Sequence, residues 1–334
     1  MTSHDQPSSP RPTSLPPTAG APVTRWATEP SRVGRRSLLS MAALLPLAAC
    51  GKAREPGASS PAASSPPVSP SPSAEEQHSR LVELERRFDA RLGVYALATG
   101  TGATIAHRAD ERFAFCSTFK GLAAAAILHN HSMPHLETVV RYSRADLMKS
   151  AVITGQHVAT GMTIRQLADA AVRYSDGTAG NLLLRDLGGP AALTAYLRSL
   201  GDSVTQMDRI EPEIVSAIPG DPRDTTTPRA IGTDYQKIVL GDALPADKRE
   251  FLKDLLIRNT TGARRIRAGL PTGWTVADKT GTGDYGTIND IAIVWPPGSA
   301  PLVISMMSSR AAREADYDQA LLAEATAYVV DRLA

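Results

Sequence analysis

Ser117 and Lys120 stand three residues apart in Phe115-Cys116-Ser117-Thr118-Phe119-Lys120. On a helix that spacing puts both side chains on one face, close enough to share a proton. A serine hydroxyl is a poor nucleophile at neutral pH and needs a partner to take its proton, which a lysine of lowered pKa can do. Taken alone, Ser117 is equally readable as a helix cap. Three further segments follow in order: Tyr174-Ser175-Asp176-Gly177, Arg209-Ile210-Glu211-Pro212-Glu213 and Lys279-Thr280-Gly281-Thr282-Gly283. With the Lys-Thr-Gly run downstream and an export signal upstream, the Ser117–Lys120 pair points to acyl transfer through a serine ester.

Positioning these groups requires a folded frame, and the hydrophobic pattern supplies one from residue 75 onward. Leu81, Leu84 and Phe88 recur at helical spacing, predicting an amphipathic helix that ends near Leu92. Residues 93–98 and 103–106 read as strands around the turn 99–102. Helices are expected from Ser117, over 164–173, 179–186 and 191–200. The stretch 208–228 is polar, carries four prolines and shows no steady period, as functional loops do. Strands return at 274–279, 287–295 and 301–308, and 314–333 reads as a closing helix. This order predicts an α/β (α+β) fold: one antiparallel sheet of about five strands built from both chain ends, flanked by helices, with an inserted all-α subdomain.

The 334 residues carry a net charge of +2, 42% hydrophobic residues and two cysteines, Cys50 and Cys116. No basic patch interleaved with aromatics occurs, so nucleic acid is not an expected partner. Residues 1–34 are rich in Pro, Ser and Thr. Arg35-Arg36 then precedes an apolar run, Leu38 to Ala49, too short to span a bilayer, and 1–49 reads as an export signal. The run resembles a twin-arginine signal, and Leu47-Ala48-Ala49-Cys50-Gly51 resembles a lipoprotein processing site. Cys50 would then carry lipid, 50–74 would be a Pro/Ser-rich tether, and membrane contact would be through that anchor only. Ordinary secretion is the alternative. With Cys50 lipidated, Cys116 has no partner and no intramolecular disulfide is expected.

The four segments, in this order and at this spacing, resemble those of a class A serine β-lactamase, and the resemblance covers about residues 75–334. It implies a β-lactam substrate, no metal or organic cofactor and, by default, a monomer. Residue by residue, it implies that Ser117 is acylated and that Lys120, or Glu211 through a water, takes its proton. Ser175 would relay a proton to the departing nitrogen, and Glu211 would activate the water that cleaves the ester. Lys279, Thr280, Gly281, Thr282 and Arg265 would form the substrate side of the site. The backbone N–H groups of Ser117 and Thr282 would form the oxyanion hole. Lys279 would lower the pKa of Lys120 by like-charge proximity. Arg209 and Asp224 would pair across the neck of the long loop, and Asn181 would hydrogen-bond within the site wall.

Three departures stand out. The third position of Ser-Asp-Asn is Gly177, which removes an amide that orients substrate. The asparagine that helps the glutamate hold water is Val215. An aromatic residue at the site mouth is replaced by Ser150. The expectation is a β-lactamase of attenuated or narrowed activity favouring penicillins, with acylation raised by Gly177→Asn and deacylation by Val215→Asn. The rivals are a slow-deacylating penicillin-binding protein, which generally lacks the glutamate, and a non-catalytic β-lactam trap or sensor.

Two other patterns lead elsewhere. Gly281-Thr282-Gly283-Asp284-Tyr285-Gly286 fits the dinucleotide fingerprint, but that fingerprint must open a helix and a strand-like segment follows. His129, His131 and His135 invite a metal reading, but no Cys or carboxylate joins them in sequence. With Pro134 among them they read as a solvated turn at a helix end.

Overall fold

The computed structural model of the chain describes residues 78–334. The export signal, Cys50 and the tether expected over 1–74 lie outside the described residues. Among those described, no helix is long and apolar enough to cross a membrane.

Helix α1 (Ser79–Phe88) buries Leu81 and Leu84 and stops four residues earlier than its spacing predicts. Asp89 turns left-handed there (φ 46°) and its N–H closes on the carbonyls of Glu85 and Arg86, a helix-ending geometry. Leu92, in register with the helical stripe, belongs instead to strand β1 (Arg91–Ala98), which forms a hairpin with β2 (Thr104–His107). The short β3 (Phe113–Ala114), β4 (Val139–Val140), β5 (Met162–Thr163) and β6 (Thr225–Thr226) form two small ladders, β3 with β6 and β4 with β5. Strands β7 (Thr275–Gly283), β8 (Thr287–Trp295) and β9 (Leu302–Ser309) return from the C-terminal end. They complete an antiparallel five-stranded sheet in the order β2-β1-β9-β8-β7. The expected sheet built from both chain ends is therefore present.

The sheet is covered on both faces, so β8 carries apolar residues on both sides, divided by the two-residue strand period. Ile288, Ala292 and Val294 pack with Leu81 and Leu84 of α1 and with Leu322, Ala325 and Val329 of α8 (Ala320–Leu333). Ile291 and Ile293 face the other side, toward the inserted helices.

Those helices are α2 (Phe119–Asn130), α3 (Ile164–Arg173), α4 (Gly177–Leu187), α5 (Pro190–Ser199), α6 (Pro228–Val239) and α7 (Ala246–Ile257). Helix α2 is buried on every side from Phe119 to Leu128, the signature of a central helix. It starts two residues after Ser117, because Cys116–Thr118 form a 3-10 turn at its entrance. The sequence reading did not anticipate α6 and α7. The closing helix also starts later than its expected 314, after the polar run ending at Gln319. Strand β7 extends past Lys279 to Gly283, which places the whole Lys-Thr-Gly-Thr-Gly run in the sheet.

Candidate active site

Ser117 leaves the 3-10 turn with Cys116 at φ 48° beside it, and Lys120 lies in the first turn of α2. As the only charged residue in the buried part of that helix, Lys120 has no route to solvent, and its exposure is 0%. Its Nζ lies 2.9 Å from Ser117 Oγ, 2.8 Å from the Ser175 carbonyl and 2.5 Å from Glu211 Oε1. Ser117 Oγ is itself 3.4 Å from Glu211 Oε1. Burial lowers the Lys120 pKa against the opposing pull of Glu211.

Ser175 sits in the left-handed region (φ 57°), one residue before Asp176 caps α4. Asp176 is fully buried. Its Oδ1 accepts the Ala179 N–H, and its Oδ2 accepts the N–H groups of Ile153 and Thr154, each at 2.9 Å. One carboxylate thus fixes both the helix carrying Gly177 and the segment carrying Ser150. From the sheet, Lys279 Nζ donates to Ser175 Oγ at 3.0 Å and to the Thr280 carbonyl at 2.9 Å. Burial and then the Lys120 charge bring its pKa down to about 7. The expected like-charge effect is thus seen on Lys279, whereas Lys120 is lowered chiefly by burial.

Glu211 is delivered by the long loop. Asp224 Oδ1 accepts the N–H groups of Asp208 and Arg209, and its Oδ2 accepts Arg209 Nε at 2.5 Å, closing the neck as expected. The Glu211–Pro212 peptide is cis. Asn181 of α4 grips the glutamate's backbone from both sides: its Nδ2 donates to the Glu211 carbonyl and its Oδ1 accepts the Glu211 N–H.

On the opposite wall, Arg265 Nη1 donates to the carbonyls of Gly281 and Asn289, and Nη2 donates to Thr282 Oγ1, all at 2.7 Å. Thr280 Oγ1 lies 2.5 Å from Thr261 Oγ1. Gly281 is required by space, since a Cβ there would stand 2.7 Å from the Phe115 carbonyl. Asn289, which the sequence reading did not single out, ties β8 to the nucleophile's segment through the carbonyls of Ala114 and Phe115. Asp278, Asn259 and Arg267 were also missed: Asn259 Nδ2 and Arg267 Nε both donate to the Asp278 carboxylate directly before Lys279. The available signal was an acid in a buried strand, which needs partners. A cleft of about 1050 Å³ between Arg91, Arg112, Pro222 and Arg310 is lined by none of the four catalytic candidates.

This geometry coincides with close relationships to known proteins. Residues 75–333 match the Beta-lactamase enzyme family. A Beta-lactamase of Mycobacterium tuberculosis (strain ATCC 25618 / H37Rv) is 54% identical over 308 residues, covering 90% of this chain and 98% of the relative. Beta-lactamase AST-1 of Nocardia asteroides is 50% identical over 304 residues, covering 90% and 97%. Among solved structures, a class A β-lactamase from Clostridium kluyveri DSM 555 superposes with a TM-score of 0.75 at 48% identity, covering 76% of this chain and 97% of that one. The chain belongs to the class A serine β-lactamase family.

Within that family the structure places two of the three departures, Gly177 and Ser150, against one carboxylate, that of Glu211. A Cβ built on Gly177 would collide with Glu211 Oε2 and Ser150 Oγ. Ser150 Oγ instead donates to Glu211 Oε2 at 3.0 Å. Val215 lies half-buried in the 3-10 turn Glu213–Ser216. The space of the family's asparagine side chain at 177 is thus occupied by a serine hydroxyl from another segment. Elsewhere, Gly281-to-Gly286 runs from β7 into the turn before β8, with no helix to open. At the histidines a carboxylate does join, contrary to the expectation: His135 Nε2 is 2.9 Å from Asp186 Oδ2. The rings of His131 and His135 are stacked 3.9 Å apart and within 13° of parallel, and one ligand atom from each lies within 4.8 Å of the others and of an Asp186 oxygen. Cys116 is a free, buried thiol, with its pKa pushed up to about 12 by burial and then by Glu211.

Proposed function

We propose that this family member hydrolyses β-lactams through an ester on Ser117. The single observation carrying the proposal is the threefold contact of Lys120 Nζ with Ser117 Oγ, the Ser175 carbonyl and Glu211 Oε1. As an ammonium, Lys120 fills all three contacts with its three N–H donors. As a neutral amine it keeps two donors on Ser175 and Glu211 and turns its lone pair to the Ser117 hydroxyl. Only one hydrogen bond reverses between the two states, so proton transfer demands little reorganisation.

Ser117 Oγ gives its proton to Lys120 Nζ and attacks the lactam carbonyl. The carbon–nitrogen bond then breaks, and the nitrogen takes a proton from Ser175 Oγ, which Lys279 Nζ replenishes. In the second half, Glu211 takes a proton from water, the hydroxide attacks the ester, and Ser117 Oγ leaves with a proton from Lys120. Substrate carboxylate recognition by Lys279, Thr280, Thr282 and Arg265 completes the reading, and penicillins are the favoured class. The presence of Glu211 within the site favours hydrolysis over a penicillin-binding role. Val215, whose side chain carries no polar atom, motivates a slow second step, of which a β-lactam trap is the limit.

The test is hydrolysis of a chromogenic cephalosporin with mass detection of the enzyme. Steady turnover, loss of turnover in Ser117→Ala, and a trapped Ser117 ester in Glu211→Gln are expected. Turnover surviving Ser117→Ala would sink the mechanism, and a single burst with a long-lived wild-type adduct would favour the trap. For the region outside the described residues, the proposal is export by a twin-arginine signal within 1–49 and anchoring through lipid on Cys50.

A further inference from the structure

Glu211 has to hold its carboxylate still to activate a water, and Val215 contributes no hydrogen bond to that end. The described structure supplies a different holder. Each carboxylate oxygen has its own donor: Lys120 Nζ on Oε1 at 2.5 Å and Ser150 Oγ on Oε2 at 3.0 Å. Lys120 is committed to the nucleophile as well, so Ser150 is the donor dedicated to the glutamate's orientation. Its backbone is well mounted. The Ser150 carbonyl accepts the Val152 N–H at 2.9 Å and the Gly177 N–H at 3.4 Å, and the following turn hangs on Asp176.

We propose that Ser150 is the positioning residue for Glu211 in this enzyme, and that Gly177 is its necessary partner because a side chain at 177 would occupy the same space. The proposal deepens the reading above and rests on Glu211 activating the deacylating water. Two losses seen separately in the sequence, an absent amide at 177 and an absent aromatic at 150, form one compensating arrangement. The hydroxyl takes the place of the missing side chain and serves the second chemical step in place of the substrate.

The experiment compares wild type with Ser150→Ala, Ser150→Thr, Gly177→Ala and the Ser150→Ala/Gly177→Ala double variant. Acylation and deacylation are measured separately with a penicillin and a chromogenic cephalosporin, and the Ser117 ester is quantified by mass. A hydrogen bond to a charged acceptor predicts that Ser150→Ala slows deacylation about tenfold, with the ester accumulating. The same variant is expected to keep kcat/KM within about twofold, because that ratio reports the steps up to acylation. Ser150→Thr keeps the hydroxyl and is expected to restore the rate. Gly177→Ala should slow deacylation at least as much as Ser150→Ala, because its Cβ would press on Glu211 Oε2 as well as on Ser150 Oγ, and the double variant keeps the clash with Glu211 and should be no faster than Gly177→Ala. Wild-type deacylation in Ser150→Ala overturns the proposal, as does a Ser150→Thr enzyme as slow as Ser150→Ala, or an equal fall in kcat and kcat/KM. Failure to trap any Ser117 ester in Glu211→Gln overturns the acyl-enzyme reading and this proposal with it. A trapped ester there, beside normal deacylation in Ser150→Ala, overturns this proposal alone.

Discussion

Asp234→Asn is expected to make the enzyme more stable at alkaline pH and to leave it unchanged in acid. Asp234 lies on α6 at 1% exposure, and neither carboxylate oxygen receives a donor from an un-ionisable neighbour. What faces it is the carboxylate of Asp202, whose Oδ1 already accepts the N–H groups of Val204 and Thr205. Burial and then Asp202 raise the Asp234 pKa from 3.8 to about 9, with Lys237 and Arg198 pulling weakly the other way and the Tyr196 phenol close by. Asp234 therefore keeps its proton and donates it to Asp202. Because the folded-state pKa is raised, this contribution to stability is fully present below pH 3.8 and is lost as pH rises toward about 9. Between 3.8 and pH 7 the loss approaches about 4 kcal/mol at 1.36 kcal/mol per unit, and local relaxation reduces it to about 2. The substituted asparagine cannot ionise, and its amide can donate to Asp202 as the protonated acid does. For a domain of this size, about 2 kcal/mol corresponds to a Tm gain of roughly 4–8 °C at pH 7, larger at pH 9 and near zero at pH 4. Thermal unfolding of both proteins across that range is the assay. A gain independent of pH, or a loss at pH 9, would refute the shared-proton reasoning.

Two further outcomes concern the proposed slow second step and the proposed membrane anchor. Val215→Asn adds an amide on a turn whose backbone is fixed by the Asp284 N–H bond to the Val215 carbonyl at 2.9 Å. One net hydrogen bond to the water, about 1 kcal/mol, predicts deacylation roughly fivefold faster in single-turnover decay of the ester. An unchanged decay would remove Val215 as the cause of attenuation. Cys50→Ala is expected to move the enzyme from the membrane pellet to the soluble fraction and to abolish incorporation of a labelled fatty acid. Retention in the pellet with no label in either protein would exclude the lipid anchor.

The sheet strands were legible because burial on both faces leaves apolar runs such as Ile291–Trp295, followed by turn residues. Helix α3 was legible because Ile164, Leu167, Ala168 and Ala171 keep one stripe behind the capping residue Thr163. Helices α6 and α7 carried similar stripes, Ile231-Tyr235-Ile238 and Leu252-Leu255-Leu256, between loop-like flanks, and were missed. The four candidate catalytic groups were legible because the chemistry they offer is written in residue type and order. Their partners were not. Ser150 meets Glu211 across 61 residues, Asn289 meets Phe115 across 174 and His135 meets Asp186 across 51. Such contacts are set by how helices and strands pack, and no local period or motif encodes them.

The site concentrates charge where the fold least tolerates it. Lys120 and Lys279 are 0% exposed, Arg265 is 4% exposed and Glu211 is 7% exposed. Asp278 and Asp290 lie behind them at 0%, and burial, with Asp278 beside it, pushes Asp290 well above the ordinary carboxylate range. A fully ionised set would cost more than its pairings return. Burial lowers that cost by raising the Asp290 pKa and by drawing the Lys279 pKa down to about 7, and both shifts favour the neutral forms. An entering substrate carboxylate reverses the balance at Lys279: an opposite charge beside a half-protonated amine favours the ammonium. In the proposed mechanism Lys279 would then hold the proton that Ser175 Oγ, 3.0 Å away, passes to the departing nitrogen. On that proposal binding readies the proton for the step that follows, and burial of the lysine is what would make the site responsive to its substrate.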